Sequence, residues 1–318
     1  MNIKKNSKIF IAGHKGMVGS AILKLLKKRG YKKIYTKTKK QLNLLDQNKT
    51  KIYLKNLKPD CVILAAARVG GILANKNHKG QFIYENLMIQ SNVIHSSYLA
   101  GVKKLIFLGS SCIYPRNAKQ PIKEDYLLSG KLEDTNDAYA IAKIAGLKMC
   151  EAYNYQYKLN YICLMPTNLY GPNDNYNLTN SHFYPALLKK IYKAKNNNKK
   201  YIKIWGNGKA KRELLYVDDL ADACEFFLKK KTKDTLINIG SGDEKTIKEY
   251  AKFIMKKLNI ELKIKLDISK PNGAPRKLVN TDLAKKYGWK KKIDLNEGFK
   301  LTLADFKEKL KNSKSNLK

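Results

Sequence analysis

Two short stretches of this chain hold residue types and spacings suited to proton transfer. In "YAIAK", Tyr139 and Lys143 stand at i and i+4, one turn apart on the same face of a helix. A tyrosine with an unperturbed pKa of about 10 exchanges protons poorly near neutrality, but a neighbouring ammonium favours its phenolate. Such a pair could trade a proton with a carbonyl or alkoxide during hydride transfer. In "GSSCIYP", residues 109–115, Ser110 could hydrogen-bond the same oxygen. Cys112, directly after the two serines, asks for a separate reason. Taken alone it reads as a buried packing thiol. At this level the residues leave open a nucleotide-sugar 4-epimerase, a non-catalytic cofactor-sensing scaffold and a polyanion-binding protein.

The elements that must carry these residues follow from apolar spacing. Strand-like runs recur at "KIFIAG" (8–13), "KKIYTKT" (32–38), "DCVILAAA" (60–67), "KKLIFLGS" (103–110) and "NYICLMPTN" (160–168). Between them lie helical periods such as Val18, Ala21, Ile22, Leu25 and Leu26. This alternation predicts an α/β fold of the Rossmann type, a doubly wound parallel sheet, followed by a smaller α/β unit. Residues 1–170 are expected to form the dinucleotide-binding domain, with the chain returning to it around 216–242. Residues 171–215 and 243–310 are expected to form the substrate domain, and 311–318 a frayed tail.

After the first strand, "GHKGMVG" sets Gly13, Gly16 and Gly19 at the opening of a helix. Glycines there allow a tight turn and close approach of a pyrophosphate to free amides at the helix N-terminus. The end of the second strand, "TKTKK", carries no acid to hold an adenosine ribose. Lys37 and Lys39, joined by Lys15, favour a 2′-phosphate and so NADPH/NADP+. Asp46 and the alanines at 65–67 would line the adenine pocket and the cofactor floor.

The stretches "GHKGMVGSAI", "QLNLLD", "AAARVGGI", "LGSSCIYP", "NDAYAIAKIAG", "MPTNLYGPNDN", "SHFYPALL" and "KPNGAPRKL" together resemble the GDP-L-fucose synthase family of extended short-chain dehydrogenase/reductases, from about Lys8 to Trp289. The Tyr-x-x-x-Lys pair belongs to the whole superfamily; the cysteine after the serines and "TNSH" mark this group. The resemblance implies conversion of GDP-4-dehydro-6-deoxy-D-mannose to GDP-L-fucose, by inversion at carbons 3 and 5 and NADPH-dependent reduction at carbon 4. Inversion beside a ketone needs a base on one face and an acid on the other. A thiol near 8.5 and an imidazole near 6.5 suit this better than a serine hydroxyl. By the resemblance, Cys112 is that base and His182 the acid, with Ser110, Tyr139 and Lys143 completing the catalytic set.

The resemblance also implies a cofactor set of Gly13, His14, Lys15, Gly16, Met17, Val18, Gly19, Lys37, Lys39, Leu108, Gly109, Ser110, Lys143, Pro166, Thr167, Asn168, Leu169 and His182. Lys190, Trp205, Arg212 and Lys277 would hold the GDP-sugar. Lysine at 15 and 190 replaces the expected arginine, keeping the charge but losing bidentate phosphate geometry. A homodimer through helices flanking the sheet is a further expectation.

The formal charge of +38 invites a nucleic-acid reading, yet of 64 basic residues only five are arginine. Lysine spread over solvated faces argues for compositional bias against a groove reader. Anionic small substrates are favoured by such a field. Five scattered cysteines without CxxC spacing suggest neither disulfides nor a metal site, and Cys61, Cys150, Cys163 and Cys224 are expected in the core. No apolar run is long enough to cross a bilayer, which leaves the cytoplasm as the expected location.

Overall fold

The computed structural model describes residues 3–178 and 180–315. Strand β1 (Lys8–Ala12), buried over Ile9–Ala12, runs through the glycine turn into helix α1 (Met17–Lys28). The chain then alternates: β2 (Lys33–Lys37), α2 (Gln47–Leu57), β3 (Cys61–Leu64), α3 (Ile72–Asn77), α4 (Lys79–Leu99), β4 (Lys104–Leu108), α5 (Asp137–Tyr157) and β5 (Asn160–Pro166). Each expected strand is present, trimmed by one to three residues at its ends where side chains turn to solvent or to a loop.

After β6 (Asn168–Tyr170) come α6 (Phe183–Asn196), β7 (Tyr201–Trp205), β8 (Lys211–Tyr216), α7 (Val217–Lys229) and β9 (Leu236–Ile239). The chain ends through β10 (Glu244–Thr246), α8 (Ile247–Lys257), β11 (Lys263–Asp267), α9 (Asp282–Tyr287) and α10 (Leu295–Ser315). Helix α10 reaches Ser315, so 311–315 are helical and not frayed; 316–318 lie outside the described residues. Helix periodicity carried by Leu303, Phe306 and Leu310, which pack on a core, continues the helix past the expected boundary.

The main sheet is parallel throughout, in the order β2-β1-β3-β4-β5-β9. One core lies on the face covered by α1 and α7, with Ile22, Leu26, Leu220 and Phe227; the other lies under α2, α4 and α5, with Leu54, Val93 and Leu147. A third core, around Leu188, Ile204, Tyr216, Ile254 and Phe306, is built beside the small sheets β10-β8-β6 and β11-β7. Helix α7 packs against α1 and β9 extends the main sheet beside β5, so the segment between 216 and 242 rejoins the first unit. Sheet order reverses at β1, whose neighbours are β2 and β3. Connections there leave in opposite directions, which opens a crevice at the carboxyl ends of the strands.

Candidate active site

At that crevice the chain makes a cavity of about 330 Å³ reached by both units. The glycine turn leads directly into Met17 and Val18, which line it. Gly13 takes φ +91°, and a Cβ there would lie 2.6 Å from the Ala66 amide nitrogen; at Gly19 it would lie 2.1 Å from the Gly13 carbonyl oxygen. These two glycines are required by the turn itself. Gly16 is different: its φ is −75°, and a Cβ would meet nothing closer than the Gly13 carbonyl at 3.6 Å. Glycine at 16 therefore leaves space above the first amides of α1, whose first turn carries neither an acid nor a capping side chain. A buried, unpartnered His14 Nδ1 lies in the same turn. Free amides, a positive helix end and an unfilled approach fit a dinucleotide pyrophosphate.

Of the expected cofactor residues, Met17, Val18, Leu108, Gly109, Ser110, Lys143, Pro166, Thr167, Asn168, Leu169 and His182 line the cavity. Gly13, His14, Lys15 and Gly16 in the turn, and Gly19 in the first turn of α1, adjoin the lining residues Met17 and Val18 in sequence but do not themselves line the cavity. Lys37 and Lys39 are exposed at the end of β2, where Lys37 pairs in register with Ala12, and the Lys37 ammonium sits 5.8 Å from the Tyr53 ring centroid. Ala65 and Ala67 line the cavity and Ala66 abuts Gly13. The Asp46 carboxylate caps α2, accepting from the Lys49 amide at 2.9 Å. Its position just ahead of a helical period was the signal for a cap.

The catalytic candidates converge from three elements. Ser110, two residues beyond β4, caps a short 3₁₀ turn (Ser111–Ile113), its hydroxyl accepting from the Cys112 amide at 3.4 Å. That turn drops Cys112 into the cavity wall at 4% exposure. Helix α5 places Tyr139 and Lys143 on the same side, with Tyr139 held edge-on to Phe82 at 6.3 Å between ring centroids. Lys143 donates to the Leu108 carbonyl at 2.8 Å, and its ammonium lies 5.7 Å from the Tyr139 ring centroid. His182, an exposed residue, caps the N-terminus of α6 and lines the cavity.

Burial sets the charge states. It pushes the Cys112 thiol above its ordinary value, while Lys277, the Ser110 hydroxyl and Lys143 pull it back. Burial also lowers His182 below the ordinary imidazole value, and brings Lys143 down to about 8 against the opposing pull of Cys112 and Cys163. Tyr139 is raised, by burial first and by Cys112 second, so the expected phenolate is not favoured here. A neutral phenol is a proton donor, which is the state a ketone reduction requires.

The far end of the cavity carries the cations and ring expected for a nucleotide sugar. Lys190 lies 5.5 Å from the Trp205 ring and donates to the Lys203 carbonyl at 3.1 Å. Arg212, buried and lowered to about 10, donates to the carbonyls of Lys211 and Ala274, each at 2.7 Å. It also donates to the Asn272 carbonyl at 3.2 Å, so two of its hydrogen bonds order the 272–274 loop and it serves the cavity as a positioned charge as well as a donor. Lys277 also lines the wall. The sequence reading missed Asn75, Glu133, Asn136 and Ser181, which line the same cavity, each with a buried oxygen that has no hydrogen-bond partner among the described residues. Asn136 and Ser181 lie within the "NDAYAIAK" and "TNSH" motifs and Glu133 stands three residues ahead of the first, and those positions were the available signal.

Residues 9–240 match the family model described as NAD dependent epimerase/dehydratase family. The chain belongs to this family. It is 49% identical to GDP-L-fucose synthase 1 of Arabidopsis thaliana over 94% of this chain and 92% of that one. It is 46% identical to the GDP-L-fucose synthase of Escherichia coli (strain K12) over 95% and 97% of the two chains. Among solved structures it is similar to MlghC, the GDP-mannoheptose C4 reductase from Campylobacter jejuni with NADP bound, with a TM-score of 0.88 and 40% identity over 96% of this chain and 99% of that one.

Proposed function

We propose that this protein converts GDP-4-dehydro-6-deoxy-D-mannose to GDP-L-fucose, inverting carbons 3 and 5 and reducing carbon 4 with NADPH. The observation that carries the reading is one cavity lined together by Ser110, Cys112, Tyr139, Lys143 and His182. The glycine turn, Lys15, Lys37 and Lys39 would hold the dinucleotide and its 2′-phosphate; bound there, NADPH supplies the hydride for carbon 4. Lys190, Trp205, Arg212 and Lys277, from 171–215 and 243–310, would hold the GDP-sugar by charge and ring contact.

Within that frame the Cys112 thiolate takes the proton from carbon 3 or 5, and the electron pair moves onto the carbon 4 oxygen as an enolate. Ser110 and Tyr139 donate hydrogen bonds to that oxygen. The His182 imidazolium returns a proton from the opposite face, completing inversion. For reduction, neutral Tyr139 gives its proton to the same oxygen, and the Lys143 ammonium stabilises the phenolate left behind. One carbonyl thus serves both reactions.

The direct test mixes the protein with GDP-4-dehydro-6-deoxy-D-mannose and NADPH. One NADPH consumed per sugar, with GDP-L-fucose as product, supports the reading, and Tyr139→Phe should slow the reduction by about 10²- to 10⁴-fold. Epimerisation at carbon 4 with no net NADPH consumption would overturn it in favour of a 4-epimerase.

Two coarser proposals accompany this one. Among the described residues no helix is long and apolar enough to cross a membrane, and all five cysteines are buried and unbridged, which suits a reducing cytoplasm. A homodimer through the helices flanking the sheet is proposed as well; sedimentation as a monomer at working concentration removes it.

A further inference from the structure

Lys277 is held in an unusual place. The segment around it is pinned against residues 120–122, which follow the Cys112 turn by only a few residues. Ile122 donates to the Leu278 carbonyl at 2.7 Å, Asn280 donates to the Ile122 carbonyl at 2.7 Å, and Leu278 donates to the Gln120 side chain at 2.9 Å. Asn238 braces the same spot, donating to the Ile122 carbonyl while accepting from the Tyr114 hydroxyl. Val279 is tied to Glu213 at 3.0 Å. Chain segments more than 150 residues apart in sequence are thereby locked side by side, and Lys277 and Cys112 face one cavity. Among the described residues Lys277 forms no hydrogen bond and no ion pair.

A partly buried ammonium without a partner is costly, and the groups around it limit what it can do. Cys112, Arg212 and Glu133 are the charged or titratable groups that act on it. Those acting on Cys112 are Lys277, Lys143 and the Ser110 hydroxyl, with Tyr139 coupled to it in turn. Lys143 is already bonded to the Leu108 carbonyl, and Arg212 to the 272–274 backbone. Glu133 accepts from Thr135 and pairs with Arg116. Lys277 is the cation of the set left uncommitted in the cavity that the thiol lines.

We propose that Lys277 is a positioning residue for the epimerising base: its ammonium, facing the same cavity, lowers the cost of ionising Cys112 to the thiolate that accepts the sugar proton. This rests on the epimerase reading above and deepens it, since it gives Lys277 a task at the reacting end as well as at the nucleotide. In the step it supports, the carbon–hydrogen bond breaks, its proton forms the Cys112 S–H bond, and its electron pair enters the enolate on the carbon 4 oxygen. Lys277 itself exchanges no proton.

The test follows the alkylation of Cys112 by iodoacetamide against pH, read on the Cys112 peptide by mass spectrometry in the native protein, Lys277→Met, Lys277→Gln and Lys277→Arg. Removing the charge should raise the alkylation midpoint by about one to two pH units, and Lys277→Arg should restore it towards the native value. Solvent exchange at carbons 3 and 5 at neutral pH should fall about tenfold in the two neutral variants. An unmoved midpoint in whichever neutral variant folds, with only the KM for the GDP-sugar raised, would overturn the proposal and leave Lys277 as a nucleotide contact. Because alkylation needs no turnover, it decides this point even if the native protein fails to process the GDP-sugar, an outcome that would sink the functional reading instead.

Discussion

Charge states decide the chemistry at the level of single residues. Cys112 is pushed up and His182 pushed down by the same burial, so in the free protein both rest mainly uncharged near neutrality, whereas inversion uses the thiolate and the imidazolium. Lys143 carries a related consequence. Its folded value is about 8, below the 10.5 of a free lysine, so its charge is complete only well below pH 8 and is lost as pH rises through that value. Reductase kcat/KM is therefore expected to fall along an alkaline limb near pH 8, measured by NADPH oxidation across about pH 6 to 10. A flat profile up to pH 10 would show that Lys143 keeps its charge. The Tyr139–Lys143 pair and Ser110 were legible because helical spacing and a strand end place them without further information. Tyr139 as a phenol was not legible, since it depends on how deeply the far side of α5 is covered.

Among the elements, the turn between β1 and α1 separates two reasons for glycine that look identical in the sequence. A Cβ at Gly19 would lie 2.1 Å from the Gly13 carbonyl, whereas at Gly16 it would meet only ordinary contact. Gly19→Ala is expected to destabilise the fold by about 1–3 kcal/mol, seen as a lowered Tm. Gly16→Ala should leave Tm nearly unchanged and weaken NADPH binding, followed by fluorescence titration. If both variants lost stability equally, the space above Gly16 would not be a ligand's. Strands were readable from apolar runs to within a few residues, as "CVIL" and "KLIFL" show. The end of α10 and the capping role of Asp46 were not. A polar residue near a cofactor motif serves equally as ligand or cap, and a Lys-rich tail helix is held by contacts that a linear reading does not contain.

Across the whole molecule, the return of α7 to the first unit is fixed by charge as well as by apolar packing. Arg29, at the end of α1, pairs with Asp222 and with Glu225, the latter at 2.6 Å; Lys229 joins Glu225 at 2.6 Å. Hydrogen bonds and cations hold both carboxyls below the ordinary range despite their burial. Groups depressed in the folded state contribute stability above their unfolded values and lose it as pH falls through the folded ones. Stability should therefore drop steeply below about pH 4, and Arg29→Met should both lower Tm at neutral pH and flatten that acid slope. An unchanged slope would remove the network from the account. The placing of Cys112 and Lys277 on one cavity, and the meeting of Lys190 with Trp205, lay beyond the sequence reading as geometry. Only the folded chain brings segments so distant into one cavity, although resemblance to a known family had named most of the participants.

The central claim is that one cavity both inverts and reduces the sugar, with Cys112 as the base. It is tested most directly by running the reaction with GDP-4-dehydro-6-deoxy-D-mannose and NADPH in deuterated water and following the sugar by NMR, beside a Cys112→Ala variant. The account predicts GDP-L-fucose with deuterium at carbons 3 and 5 from the native protein, and loss of that exchange in the variant. NADPH oxidation by the native protein with carbons 3 and 5 left unexchanged would contradict it, making the protein a simple carbon 4 reductase and Cys112 a packing residue.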